Sequence, residues 1–310
     1  MRIVLFCATH RGYEFLKKLS HLVPRNTEII VFSCNETAGE PPFVKKIQEF
    51  TRARGGPFFI EHAFAGKRWR HFFASKEFDL ILAVSWRYII PEKIYSAAQK
   101  GAFVFHDSLL PKYRGFSPTV RAIINGETAT GVTLFHMAEK VDAGDIVDQV
   151  RVPISPDETI DAVLRRVTRT YLKILEKNFP ALLSGKAPRR RQNHARATYF
   201  PPRKPQDNRI NWSDSTENIY NLIRAVTCPY PGAFTRCRGR KLYVWSARRL
   251  RSGKKYPGNV PGHIAGMSAR GAVVLTGDGA ILLTRVQFKG QKPGSAAGVL
   301  RQVHTRLGEA

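Results

Sequence analysis

The stretch GAFVFHDSLLPKYRG, residues 101–115, decides how this chain is read. Its apolar run Ala102-Phe103-Val104-Phe105 has the length and continuity of a strand buried on both faces. The run stops at His106, and His106-Asp107-Ser108 stands where the strand gives out. A Leu-Leu-Pro turn follows, then a basic loop that ends on Gly115. In an open parallel sheet, ligands bind in the crevice beyond the carboxyl ends of the strands. A polar cluster at such an end is therefore a candidate site.

Outward from this segment the chain alternates. Strand patterns cover residues 2–7, 27–32, 58–60, 78–84, 132–137 and 146–152. Helical patterns cover residues 13–22, 42–54, 67–75 and 159–183. The alternation predicts a Rossmann-like α/β domain, a parallel sheet with helices on both faces, over residues 1–185. Residues 186–208, KAPRRRQNHARATYFPPRKPQDN, are rich in Pro, Arg and Asn with little apolar periodicity, and read as a basic linker. A helix with Ser213 as N-cap is expected over residues 211–225. Short strands separated by glycine turns then recur at 233–237, 241–245, 262–267, 272–275 and 280–286. They predict a small β-rich, OB-like barrel over residues 209–310.

With 310 residues, the chain exceeds a typical single core, which agrees with two domains. No run reaches membrane-span length. The opening MRIVLFCATHRGYEF has neither the length nor the cleavage pattern of a signal peptide. The four cysteines, Cys7, Cys34, Cys228 and Cys237, lack metal-ligand spacing and read as reduced thiols of a cytoplasmic protein. No metal is expected. The charge is lopsided. Of 50 Lys and Arg and 24 Asp and Glu, residues 184–310 hold 24 and 5, a net charge of +19 out of +26. Such a half attracts polyanions, although a solvated basic surface gives the same count.

Two side chains carry the candidate chemistry. His106 lies at a strand exit, and Asp142 precedes the small-residue turn Ala143-Gly144 between two further strands. A histidine and an aspartate on neighbouring loops can form a base and its orienting partner. From spacing alone a structural histidine and a turn-capping aspartate are the commoner readings.

The segments HDSLLPKYRG (residues 106–115), INGETATGVTLFHM (124–137) and DAGDIV (142–147), in this order and spacing, resemble the folate-dependent formyltransferase family. SWRYIIP (85–91) falls where the family places its pterin-binding loop. NWSDSTENIYNLIRAVTCPYPGAF (211–234) is similar to the opening of its C-terminal domain. The resemblance implies transfer of a formyl group from 10-formyltetrahydrofolate to a primary amine. His106 takes the role of the catalytic histidine and Asp142 that of its aspartate. Trp86, Arg87, Tyr88, Ile89, Ile90 and Leu110 take the folate-binding positions.

One position departs from the family. Two residues before the histidine the family carries an asparagine, whose amide donates to the developing oxyanion, and this chain has Val104. Strand alternation puts Val104 and His106 on one face. Losing one such donor costs about 100- to 1,000-fold in turnover. Ser108 and Asp107 are candidate replacements, with Asp107 expected on the opposite face. A folate-binding protein with impaired or altered catalysis is the corresponding alternative.

The acceptor is read from the loop after the second strand, SCNETAGEPP (33–42), which is short and slightly acidic. The resemblance there is to the amino-sugar branch, and a nucleotide-linked amino sugar is the preferred acceptor. Methionyl-tRNA is the runner-up, favoured by the basic C-terminal half. A homodimer is compatible with the sequence.

Overall fold

The computed structural model describes residues 1–36, 41–64, 66–250, 260–301, 303 and 305–309. These form two compact units, neither of which is one continuous length of chain.

The first unit comprises Met1–Pro118, Ala129–Pro153 and Leu164–Pro201. Strand β1 (Arg2–Cys7) leads into α1 (Thr9–Leu22), and β2 (Glu28–Ser33) into α2 (Val44–Ala53). Next come β3 (Phe58–Ile60), α3 (Lys67–Ala74), β4 (Leu80–Val84), α4 (Glu92–Tyr95) and β5 (Ala102–His106). Then follow β6 (Arg114–Gly115), β7 (Ala129–His136), β8 (Ile146–Pro153), the body of α6 (Ile160–Leu183) from Leu164 on, and β9 (Tyr199–Phe200), whereas α5 (Pro118–Ile124), between β6 and β7, falls in the second unit from Thr119 on.

One seven-stranded sheet runs β3-β2-β1-β4-β5-β7-β8. The first five strands pair in parallel. Strands β1, β2 and β4 are near-unbroken apolar runs because helices cover both faces. On one face Phe105 packs between Phe15 of α1 and Tyr171 of α6. On the other, Phe6, Phe32 and Ala83 join Trp69 and Phe73 of α3 in an aromatic-rich cluster that also contains Ala102. Val104 packs onto that cluster, so alternation places His106 on the same face.

The sheet is not wholly parallel. Strand β7 pairs antiparallel with both β5 and β8. The segment 137–145 between β7 and β8 is too short for a parallel crossover, which needs a dozen or more residues.

Residues 186–208 are not the unanchored linker that their composition suggests. Arg190 and Ile146 exchange both backbone hydrogen bonds, at 2.8 and 2.9 Å. Strand β9 pairs in parallel with β6. The anchoring is by backbone and polar groups, which leaves no apolar period in the sequence. Residues up to Pro201 thus belong to the first unit and those from Pro202 to the second.

The second unit comprises Thr119–Thr128, Ile154–Val163 and Pro202–Ala310. Helix α7 (Thr216–Val226) is capped by Ser215, whose Oγ accepts from Asn218 N. Ser213, the expected cap, instead sits in a turn where its N–H donates to Asn211 Oδ1 at 3.2 Å. Strands β10 (Ala233–Cys237), β11 (Arg240–Arg249), β12 (Ile264–Ser268), β13 (Gly271–Leu275), β14 (Ala280–Phe288) and β15 (Gly294–Ser295) follow, then α8 (Ala296–Leu300). They form an antiparallel sheet ordered β10-β11-β14-β13-β12, with β15 against β14. Leu307 bridges Cys237 of β10, and Arg306 bridges His263 just ahead of β12. One extended segment thereby joins both sheet edges, the device by which a small barrel removes its free edges.

The segment Ile154–Val163 belongs to this unit for a specific reason. Buried Arg224 of α7 donates from Nη1 to Ser155 O (3.3 Å) and Glu158 O (3.1 Å). Asp157 accepts from Tyr220 at 3.2 Å and from Arg249 at 2.6 Å.

His136 supplies a stability test for the first unit. Its buried ring packs on Phe103 with centroids 4.8 Å apart, and Nε2 donates to Pro188 O at 3.0 Å. Burial, reinforced by the Arg189 charge, holds this imidazole below its ordinary value against the opposing effect of the Pro188 bond. The unfolded chain therefore takes up a proton that the folded chain refuses, and stability falls as pH drops through the ordinary histidine range. Urea midpoints measured from pH 7 to pH 5 should fall more steeply for the natural protein than for His136→Gln. Equal slopes would remove His136 from the acid response.

Candidate active site

His106 ends β5 and is 7 % exposed. Its Nε2 lies 2.8 Å from Tyr113 O. A carbonyl can only accept, so Nε2 carries the hydrogen and Nδ1 is the basic nitrogen of the neutral ring. Nδ1 stands 3.6 Å from Asp142 Oδ2. That same carboxylate oxygen accepts the Gly115 N–H at 2.7 Å. The structure thus brings together the two residues singled out in the sequence, and ties each to the YRG part of the same motif.

Asp142 is held in an uncommon conformation. Its φ is +51°, in the left-handed region that a non-glycine residue seldom occupies. Two residues on, a Cβ at Gly144 would lie 1.8 Å from His136 O. Only glycine permits that approach. Buried Gln192 holds the turn from outside, donating from Nε2 to Asp142 O (2.9 Å) and Gly144 O (2.7 Å). Its Oε1 accepts from Arg114 Nη2 at 2.6 Å. Arg114 is 1 % exposed, with Tyr199 and His194 as its other hydrogen-bond partners.

The remaining candidates fall into two groups. Ser85, in the left-handed region at φ +52°, turns the chain after β4. Trp86 then packs against Phe6, Phe64 and Tyr88 with centroids 5.3, 6.3 and 5.7 Å away. The Ser85 hydroxyl and Trp86 Nε1 are both buried without a hydrogen-bond partner. Ile90 packs on the same aromatic-rich cluster, whereas Ile89 is 68 % exposed. Tyr88 lies beside His62 at 5.2 Å between ring centroids. Arg87 acts electrostatically on Glu36. Leu110 is buried with Phe135 and Ile146, against which Val104 also packs.

Neither candidate replacement for the missing asparagine is free. Asp107 lies on the opposite face, 3.2 Å from Arg11 and 3.4 Å from the Tyr171 hydroxyl. Burial, with the Asp107 charge next, pushes the Tyr171 phenol well above its ordinary range, so it stays protonated beside that carboxylate. The Ser108 hydroxyl donates to Lys112 O at 2.7 Å and is 1 % exposed. Residues 37–40 of the short acidic loop lie outside the described residues. Its Glu36 accepts from Phe43 N and Val44 N, both at 2.6 Å, at the start of α2.

Sequence reasoning missed Gln192 altogether, and passed over Arg114, Tyr113 and Gly115 although they lie in the quoted motif. The last two act through backbone groups that carry no residue signature. Gln192 had no signal beyond being one of several amides in a basic stretch. Among the described residues no group of three or more His, Cys, Asp or Glu could hold a metal ion. None of the described helices is long and apolar enough to cross a membrane.

The fold and the site thus define an α/β sheet protein with a histidine–aspartate pair at a strand end. The family model described as formyl transferase matches residues 60–178, and that of the formyl transferase C-terminal domain matches residues 203–304. The chain belongs to the formyltransferase family. Its fold is similar to that of HypX from Aquifex aeolicus in complex with tetrahydrofolic acid, with TM-score 0.63 and 20% identity over 97% of this chain and 47% of that one. The chain thus spans about half the length of HypX. It is also similar to WlaRD, a sugar 3N-formyl transferase crystallised with dTDP and 5-N-formyl-THF (TM-score 0.67, 17% identity, 94% and 99% covered). A third similar structure is methionyl-tRNA formyltransferase from Clostridium thermocellum (TM-score 0.55, 22% identity, 82% and 95% covered).

The close approach at Gly144 yields a direct test. Gly144→Ala must displace either the His136 carbonyl or the Asp142 turn, at a cost of about 1–3 kcal/mol. Urea unfolding should show that loss, and an unaltered midpoint would show that the turn has room to spare.

Proposed function

We propose that this protein transfers a formyl group from 10-formyltetrahydrofolate to a primary amine, with a nucleotide-linked amino sugar as the preferred acceptor. The observation that carries the reading is the pairing of buried His106 with partly buried Asp142 at the end of β5, fixed on either side by Tyr113 O and Gly115 N. The turn after β4 suits the folate. Its orphaned Ser85 hydroxyl and Trp86 N–H offer polar partners beside aromatic and aliphatic surface, the combination that a flat heterocycle with a polar edge requires. Trp86, Tyr88 and Ile90, with the backbone of residues 85–90, would hold it, and Leu110 and Val104 would keep water out. Bound there, 10-formyltetrahydrofolate supplies the formyl carbon to the amine.

The chain's own groups manage the proton. The amine must lose one, and Nδ1 of His106 is the available base. The Tyr113 carbonyl fixes the tautomer that leaves Nδ1 free to accept it. A proton taken up there faces the Asp142 carboxylate, whose charge stabilises the imidazolium. Asp142 is itself kept in place by the Gly115 N–H.

Two observations favour particular alternatives. The net charge of +19 over residues 184–310 suits a tRNA acceptor better than a sugar nucleotide does. Val104, with Asp107 and Ser108 both committed elsewhere, leaves the family's amide donor without a replacement from its neighbours in sequence, and favours a folate-binding protein of reduced activity. A screen of nucleotide-linked amino sugars and charged initiator tRNA with 10-formyltetrahydrofolate, following tetrahydrofolate release, separates the three. Selective formylation of the tRNA would replace the preferred acceptor. Tight folate binding without turnover on any amine would replace the enzyme.

With an acceptor in hand, His106→Ala and Asp142→Ala should each lower kcat by at least 100-fold while the fold survives. The double variant should lose little more than the worse single one, because the pair acts as a unit. Near-normal turnover in either folded variant would remove that residue from the mechanism.

Val104→Asn should raise kcat about tenfold. A single oxyanion donor is worth about 3 kcal/mol in other enzymes, and Val104 is only half-buried, so the amide is not forced into a dry site. Unchanged or lower turnover in the folded variant would mean that the apolar contact with Leu110, Phe135 and Ile146 is what this position supplies.

A further inference from the structure

We propose that Gln192 is a positioning residue for the proton-transfer pair, and that residues 188–200 act as a strap that sets the distance between His106 and Asp142. The inference rests on the formyl-transfer reading for its kinetic consequence and on geometry alone for its structural one.

Both sides of the pair are held by this strap. On the aspartate side, the backbone of Arg190 pairs with Ile146, and the two amide hydrogens of Gln192 bind Asp142 O and Gly144 O. Every hydrogen that Gln192 Nε2 possesses is spent on one turn. On the histidine side, Tyr113 N donates to Thr198 Oγ1 at 2.8 Å and Arg114 N to Thr198 O at 2.8 Å. Phe116 N donates to Phe200 O at 2.9 Å, and the Tyr113 ring stacks on Phe200 at 5.2 Å. These contacts fix Tyr113 O and Gly115 N, the two groups that hold His106 and Asp142. Arg114 links the halves, reaching Gln192 from one and Tyr199 from the other.

The aspartate side needs an external hold. Asp142 occupies the left-handed region without being glycine, which persists only where the surroundings over-determine it. Its backbone carbonyl is the one Gln192 grips. Without that grip the turn can relax, and the carboxylate then leaves both Gly115 N and Nδ1. A displacement of about 1 Å in a reacting group can cost about 100-fold in rate.

Gln192→Glu isolates this effect. The substitution keeps size and shape and keeps an acceptor for Arg114, but turns the two donations to carbonyls into repulsions. Gln192→Met, near in length and without donors, serves as the second variant if the first does not fold. Amide hydrogen exchange gives the readout that is independent of activity. The Gly115 amide should lose protection by tenfold or more, while the amides of Arg114 and Phe116, bound to the strap itself, keep theirs. In the assay, kcat should fall by about 10- to 100-fold with little change in KM for the folate. On an Asp142→Ala background the same substitution should add almost nothing. Unchanged Gly115 protection in either folded variant overturns the proposal, as does loss of protection at all three amides together, which marks general loosening. If the natural protein turns over no amine, the formyl-transfer reading falls and the Gly115 amide still decides the role of Gln192.

Discussion

The candidate site depends on one hydrogen bond, from Gly115 N to Asp142 Oδ2. Asp142 sits on the loop after β7 and His106 at the end of β5, and nothing in the sheet register brings their side chains together. Strand pairing sets Thr133, not Asp142, opposite His106. The 106–115 segment closes the gap by folding back so that Tyr113 O meets the imidazole and Gly115 N meets the carboxylate. Gly115 is suited to the place, since its φ is +92° and a Cβ would lie 2.4 Å from Phe200 O. Two backbone groups a couple of residues apart thus fix both members of the pair.

Much of this was legible in the sequence, and the reason is physical. The strands of the first unit are buried on both faces, so they read as continuous apolar runs, and His106 stood out as the polar residue that ends one. Asp142 stood out as the residue before a small-residue turn. What failed to show was whatever is held by backbone or by single polar contacts. The antiparallel direction of β7 and β8 leaves no mark in composition. The strap at 188–200 is anchored by carbonyls, amides and one glutamine, which leaves a proline- and arginine-rich string that looks unstructured. The mistaken N-cap at Ser213 has the same origin: Asn211 bonds Ser213 N and Asp214 in a turn ahead of the helix, and Ser215 caps α7.

Val104 shows how neighbours in sequence can be separated by a pleat. Asp107 lies one residue from His106 yet faces Arg11 and Tyr171 on the other side of the sheet. Ser108 turns its hydroxyl into its own loop. Their polarity is structural: one anchors α1 and α6 beneath the sheet, the other shapes the Leu-Leu-Pro turn. The valine's methyl groups extend the apolar wall formed by Leu110, Phe135 and Ile146.

The interleaving of the two units has a consequence for how the chain is made. The second unit takes residues 119–128 and 154–163 from the midst of the first, and buried Arg224 finds two of its acceptors at Ser155 and Glu158. A growing polypeptide emerges in order, so Ser155 and Glu158 must wait for Arg224 until α7 has been synthesised, about sixty residues later. Contacts of such long sequence separation form late and slow the folding of the units that need them. The first unit is likewise incomplete until the strap at 188–200 has emerged. The second unit therefore draws on chain made well before most of it. A gene cut into two consecutive pieces near residue 200 would part α7 from the carbonyls that its arginine holds.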